Sequence, residues 1–158
     1  MSREEQTRRE FCTHACRAFS IAAAGLATGA ILPGCGSSPS GPSGASALPV
    51  VTAAETGGTL VLTIDSSSPL STVGGAALIQ SSVGPVLVAQ TAQNVFNAVT
   101  GICTHAACTI TGYANQQYVC PCHGSQFTTS GQVVSGPAPA PLSRYVTAFS
   151  NNVLTITV

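Results

Sequence analysis

Two short segments of this chain of 158 residues concentrate its reactive side chains: Cys103-Thr104-His105-Ala106-Ala107-Cys108 and Cys120-Pro121-Cys122-His123-Gly124-Ser125. They contain four of the seven cysteines and two of the three histidines. Cys103, His105, Cys120 and His123 offer two thiolates and two imidazoles. Such a set can hold a tetrahedral zinc ion, or a [2Fe–2S] cluster with the thiolates on one iron and the imidazoles on the other. Spacing alone leaves both open. Cys108 and Cys122 remain as an even pair, and in an oxidising compartment such a pair is expected to close as a disulfide. That bridge would clamp the segments together over a site too large for a single ion.

Positioning these residues requires a rigid frame, and the composition points to strands. Gly, Ser, Thr, Ala and Val dominate, Trp is absent, and short apolar runs alternate with turn residues. Leu60, Leu62 and Ile64 fall on one face of a strand and Thr59, Val61 and Thr63 on the other; Leu154, Ile156 and Val158 repeat the pattern. Ala76 to Gln80 and Val86 to Gln90 flank a Ser-Ser-Val-Gly-Pro turn, and Tyr145 to Phe149 and Val153 to Val158 flank the hairpin pair Asn151-Asn152. Asn94 to Val99 is a further strand leading into Cys103. The expected fold is all-β, a compact antiparallel sandwich of roughly eight to ten strands, with a small subdomain formed by the two Cys/His loops at one end.

The formal net charge is zero, but Arg3, Glu4, Glu5, Arg8, Arg9, Glu10 and Arg17 all lie within the first 17 residues, leaving only Glu55, Asp65 and Arg144 beyond them. A surface so poor in charge cannot neutralise phosphates, which excludes nucleic-acid binding and leaves docking to shape and apolar contact. A membrane-tethered partner suits it.

Residues 1–35 read as a targeting segment. Thr7-Arg8-Arg9-Glu10-Phe11 before the uncharged stretch Ala18 to Leu32 resembles a twin-arginine export signal. At about 15 residues that stretch is shorter than the ~20 of a spanning helix, which favours a signal over a permanent anchor. Ile31-Leu32-Pro33-Gly34-Cys35 resembles a lipoprotein processing box with acylation at Cys35; cleavage elsewhere and an uncleaved anchor are the alternatives. Residues 36–49 read as a flexible Gly/Ser/Pro linker, and 50–158 as the domain. Cys12-Thr13-His14-Ala15-Cys16 imitates the first reactive segment but lacks a matching second half, and reads as coincidence.

At the two Cys/His segments the chain resembles the Rieske iron–sulfur proteins, specifically the disulfide-bearing branch found in cytochrome bc complexes and arsenite oxidase small subunits. The similarity runs from about Gly74 to the C-terminus and includes Gly136-Pro137-Ala138-Pro139, which is similar to the loop that covers the cluster in that family. The resemblance implies that Cys103 and Cys120 bind an inner iron, that His105 and His123 bind an outer, solvent-facing iron, and that Cys108 and Cys122 are bridged. Mixed ligation has a physical consequence. Four thiolates around an oxidised [2Fe–2S] core leave a charge of −2, whereas two thiolates and two neutral imidazoles leave zero, so the electron is accepted at about −150 to +300 mV against about −400 mV for plant-type ferredoxins. In the family the outer imidazoles also couple electron transfer to proton transfer.

The same resemblance assigns Ser125 as a hydroxyl donor to a cluster sulfide. It places Phe127 where high-potential members often carry a tyrosine that donates to a cysteine sulfur, which predicts an intermediate potential. Ala106 and Ala107 replace the usual bulky residue and glycine of quinol-oxidising members and weaken a standard quinol-oxidising role. The expected function is single-electron transfer in an exported, membrane-tethered subunit or carrier, not a free-standing enzyme, between a quinol or oxidase donor and a cytochrome-like acceptor. Alternatives are the ferredoxin component of an oxygenase system and a structural zinc module. The chain has too few histidines for an oxygenase's own mononuclear iron.

Overall fold

The computed structural model describes residues 44–158. The export signal, Cys35, the Cys12-His14-Cys16 group and most of the linker lie outside the described residues. Seven strands precede the first Cys/His segment: β1 (Ser46–Ala47), β2 (Val50–Thr52), β3 (Ala54–Thr56), β4 (Thr59–Thr63), β5 (Ala76–Ser81), β6 (Gly84–Ala92) and β7 (Val95–Thr100). Six follow it: β8 (Gly112–Ala114), β9 (Gln117–Val119), β10 (Gln126–Thr128), β11 (Val133–Ser135), β12 (Arg144–Ser150) and β13 (Val153–Thr157). Among the described residues no helix is long and apolar enough to cross a membrane.

Eight strands form one sheet in the order β2-β5-β6-β7-β12-β13-β4-β3, and five form a second in the order β1-β8-β9-β10-β11. In β4 and β13 the expected alternation is realised: Leu60, Leu62, Leu154 and Ile156 point inward while their neighbours do not. They pack against Ala77, Ile79, Val86, Val88, Phe96 and Ala98, so the large sheet closes over a core of its own. Each fully buried Leu, Ile or Val there is worth about 1.5–3 kcal/mol. The intervening residues Ala76, Leu78, Leu87, Ala89 and Val99 face the other way, into a second core shared with Ile110, Tyr118, Phe127 and the two cysteines Cys103 and Cys120. The middle layer β5-β6-β7 is thus covered on both faces, which is why it reads as near-continuous apolar runs instead of alternation.

Several details differ from or add to these expectations. The described residues form thirteen strands, not eight to ten. One pair, β2 with β5, is parallel in an otherwise antiparallel arrangement. The expected small subdomain is present, its two loops carried on a five-stranded sheet. The end of the segment assigned to the linker also belongs to the fold. Ser46 and Ala47 pair with Tyr113 and Gly112, the Leu48 N–H donates to the Thr111 carbonyl at 2.7 Å, and Leu48 is buried. A single apolar side chain with an open sheet edge to pair against is enough to order a stretch whose composition reads as flexible.

Candidate functional site

Both Cys/His segments are six-residue loops closed at the base by an antiparallel pair. The isolated bridge between Ile102 and Thr109 closes residues 103–108, and the pairing of Val119 with Gln126 closes residues 120–125. The hydrogen bonding inside them is equivalent. In the first loop the Ala107 N–H donates to the Cys103 carbonyl at 3.0 Å and the Cys103 N–H to the Cys108 carbonyl at 2.9 Å; in the second, Gly124 donates to Cys120 at 3.0 Å and Cys120 to Ser125 at 2.8 Å. Each loop therefore turns back at its fifth residue, which is left-handed: Ala107 has φ 54° and Gly124 has φ 71°. Glycine adopts that conformation freely, whereas alanine does so at a cost of about 1 kcal/mol. The root of the first loop is fixed by the Thr100 N–H on the Ser143 carbonyl at 2.9 Å and the Gly101 N–H on the Pro85 carbonyl at 2.7 Å.

This geometry sorts the side chains by depth. Cys103 and Cys120 are unbridged thiols at 2% and 1% exposure. His105 and His123 are exposed and meet edge to face, with ring centroids 4.8 Å apart and planes at 87°. Cys108 and Cys122 form a disulfide that joins the two loops. The sulfurs of Cys108, Cys120 and Cys122 lie within 4.8 Å of one another. They are not a ligand set, because a disulfide has no thiolate to offer; the bridge is packed beside the one free sulfur. Burial pushes the Cys120 thiol above its ordinary range, with the neighbouring Cys103 adding to the shift, while the backbone N–H groups of Cys122 and His123 act against it. Those amides favour a thiolate at Cys120, the state a metal requires.

The remaining predicted residues surround this pair. Ser125 is fully buried and its Oγ has no partner among the described residues. A buried hydroxyl left unpaired costs free energy unless an acceptor outside the protein chain is supplied, and a sulfide of an iron–sulfur cluster is one. Two buried free thiols, two converging imidazoles and an orphaned hydroxyl are the donor set that a [2Fe–2S] group needs, so the residues present fit it. Phe127 is fully buried and pairs across the strands with Tyr118, whose ring also packs on Tyr113 at 5.4 Å. The Tyr118 hydroxyl is buried without a partner among the described residues, and burial pushes it well above its ordinary range. Pro137 is exposed, whereas Gly136 lies so close to the second loop that a Cβ on it would come within 2.6 Å of the Ser125 Cα.

Thr104 was not singled out from the sequence. Its hydroxyl donates to the Ala140 carbonyl at 2.7 Å, so residues 136–140 lie against the second loop at one end and are tied to the first at the other. A threonine between two reactive residues carries no local signal of a partner 36 positions away. The left-handed fifth position was partly readable, because Gly124 closes the second segment. Alanine at the equivalent place in the first hides it.

A family model described as the Rieske [2Fe-2S] domain matches residues 64–147. The chain is 45% identical over 49 residues to the cytochrome b6-f complex iron-sulfur subunit of Chlorobaculum thiosulfatiphilum, an alignment covering 30% of this chain and 27% of that protein. It spans less than half the length of the curated relatives it matches. Among solved structures it is similar to a plasma membrane Rieske protein from Synechocystis PCC 6803, with 35% identity, coverage of 53% of this chain and 87% of that one, and a TM-score of 0.49. It is also similar to a quaternary ammonium Rieske monooxygenase, with 13% identity, coverage of 61% and 31%, and a TM-score of 0.50; that likeness is one of fold alone.

Proposed function

The chain belongs to the Rieske [2Fe-2S] family, and from that premise we propose that Cys103 and Cys120 hold the inner iron of its cluster, and His105 and His123 the outer iron. The observation that carries the assignment is the pairing of depths: two buried thiols and two exposed imidazoles on loops with the same hydrogen-bond pattern. The bound cluster supplies one reversibly occupied electron site. The protein's part is placement. Cys103 and Cys120 fix the group in the apolar core, and the amides at Cys122 and His123, with the Ser125 hydroxyl, direct donors toward sulfur, which favours the reduced, more negative state. His105 and His123 give the electron a short way out through the exposed edge, where a free ring nitrogen can hold a proton. The Cys108–Cys122 bridge keeps the loops from parting.

The finer reading is an exported, membrane-tethered electron carrier or subunit, linking a quinol or oxidase donor to a cytochrome-like acceptor. It is supported by the resemblance of residues 1–35 to an export signal with a processing box at Cys35 and by the disulfide, which fits an oxidising compartment. It is also supported by relatives named as iron-sulfur subunits of a cytochrome complex. Small Ala106 and Ala107 at the exposed tip favour direct contact with a partner protein over a standard quinol pocket. Iron and acid-labile sulfide analysis of the purified chain, with EPR of the dithionite-reduced form and a redox titration, tests the site. Two irons and two sulfides per chain, with a one-electron step above the all-cysteine range, are expected; a colourless zinc-loaded protein overturns the assignment.

A further inference from the structure

The base of the iron site holds cysteine in two oxidation states. Cys103 and Cys120 are buried thiols, while Cys108 and Cys122 are bridged across the two loops. A thiolate attacks a disulfide by bonding to one of its sulfurs and expelling the other, so a thiol beside a bridge leaves it alone only when its own sulfur is engaged. Cys120 is such a neighbour. Its sulfur and both sulfurs of the bridge lie within 4.8 Å of one another, whereas Cys103, among the described residues, is not part of that group. Burial gives no protection here, because attacker and target are held side by side in one chain, at an effective concentration far above that of any dissolved thiol.

Nor does the chain resist a different pairing. Cys120 and Cys122 are two positions apart on one loop, so a bridge from either one to Cys108 closes nearly the same length of chain, at nearly the same cost in entropy. Cys122 is exposed whereas Cys120 is buried, so an exchange between them releases the free sulfur toward water. We propose that the Cys108–Cys122 bridge is kept in place by the cluster, and that in the iron-free chain it migrates to Cys108–Cys120. This rests on the assignment of Cys120 to the inner iron, which engages the attacking sulfur. In the exchange the Cys120 thiol gives its proton to water and its sulfur bonds to the Cys108 Sγ. The Cys108–Cys122 bond breaks, and Cys122 leaves with the electron pair and takes up a proton. One disulfide and two thiols remain among these cysteines, so no oxidant or reductant is consumed. The loops stay joined, but an inner-iron ligand is locked into a bridge, and the site is closed to reloading until a dithiol reductant opens it. Assembly then has a required order, cluster before bridge.

The cluster-loaded full chain tests this. Iron is removed anaerobically with a chelator and no reductant, and gel filtration clears iron and sulfide. Samples taken over hours are then quenched in acid, unfolded and blocked with N-ethylmaleimide, and fragment-ion mass spectrometry assigns the label to each cysteine. The expected result is label on Cys103 and Cys120 at the start, followed by a rise of about tenfold or more at Cys122 with a matching loss at Cys120, over the minutes to hours of uncatalysed rearrangement. Capacity to take back iron and sulfide should fall in step and return after dithiothreitol. The same shift is expected in a parallel chain carrying Cys12→Ser, Cys16→Ser and Cys35→Ser, which excludes those thiols as attackers. Cys120→Ser, which keeps the bridge and loses the attacker, should show no label at Cys122. Label that stays on Cys120 in the iron-free chain, a shift that vanishes in the parallel chain, or label on Cys122 in Cys120→Ser overturns the proposal. Iron content is measured before stripping, so failure of the cluster assignment shows as a preparation without iron, and failure of the exchange as a loaded one whose label does not move.

Discussion

Ser125 occupies an expensive position for a hydroxyl, fully buried and unpaired, so its worth must be recovered through the group it faces. A donor aimed at a cluster sulfide stabilises the reduced state more than the oxidised one, because the reduced state carries one more negative charge. Ser125→Ala should therefore lower the reduction potential. A hydrogen bond to a charged acceptor is worth about 1.5–3 kcal/mol; at about 59 mV per tenfold for one electron the shift is bounded at about 130 mV and is expected at several tens of millivolts. Voltammetry of the purified variant decides it, and an unchanged potential would show that the hydroxyl points elsewhere. Phe127→Tyr works in the opposite sense. Phe127 is sealed in the same core as both free cysteines, and a hydroxyl added there should raise the potential; a fall or no change would remove the argument for an intermediate value in the wild-type chain. At this scale the sequence was most informative, because spacing is a local property: the bridged Cys108–Cys122 pair, two buried thiols and two exposed imidazoles all come from two short segments, while the division of ligands between inner and outer iron rests on the family resemblance. Thr104 and the buried Tyr118 hydroxyl could not, since what they face is decided by strands far away in the chain.

Between residue and fold stand the elements that hold the loops. Residues 136–140 bridge both loops, and the contact at Gly136 leaves no room for a side chain: its φ is 90° and a Cβ would sit 2.6 Å from the Ser125 Cα. Gly136→Ala should push the segment off the second loop, lowering iron occupancy and displacing Ser125, so the potential should fall along with cluster retention. Retention and potential both at wild-type values would mean that the segment yields without disturbing the site. A second tether joins β3 to the β5–β6 turn, where the Glu55 carboxylate accepts the Ser82 N–H at 3.0 Å and, through its other oxygen, the Ser82 hydroxyl. The Ser82 hydroxyl, then its backbone N–H, hold Glu55 below its ordinary value of 4.5. A carboxylate whose folded pKa is depressed contributes its stability above the unfolded pKa and loses it as pH falls through the folded one. The stability gap between wild type and Glu55→Gln, compared from about pH 7 down to about pH 2, should therefore be constant above that ordinary value and shrink progressively as pH falls below it; a constant gap across the range would show that the loss is one of packing. The long strands β4, β6, β7, β12 and β13 were legible from period and turn chemistry. The small sheet was not, because β1 and β8 to β11 are two or three residues each, too short for any period to appear, and they exist only through pairing and the core they share with β5 to β7.

For the whole molecule the decisive property is the near absence of charge. Among the described residues Glu55, Asp65 and Arg144 are the only charged side chains, two acids against one base. Glu55 is tied to Ser82, and Asp65 lies at the end away from the loops. Arg144 pairs with Val99 on β7, near the loop roots, but neither Cys/His loop carries an Asp, Glu, Lys or Arg. Long-range steering raises association rates by about 10 to 10³ and falls steeply with ionic strength, yet it needs a field that one isolated charge cannot build, since the Debye length is already about 8 Å at physiological salt. Encounter with a cytochrome-like acceptor should then be governed by shape and by the apolar tip of Ala106, Ala107 and Pro121. Stopped-flow oxidation of the reduced protein by such an acceptor is expected to change less than about twofold between 20 mM and 500 mM salt, where a steered pair would lose tenfold or more. Ala106→Lys supplies the control from within the same surface: it should introduce a salt dependence whose direction reports the sign of the acceptor's docking face. A wild-type rate that already falls steeply with salt would locate the docking contact away from this tip and overturn the account of docking by shape and apolar contact.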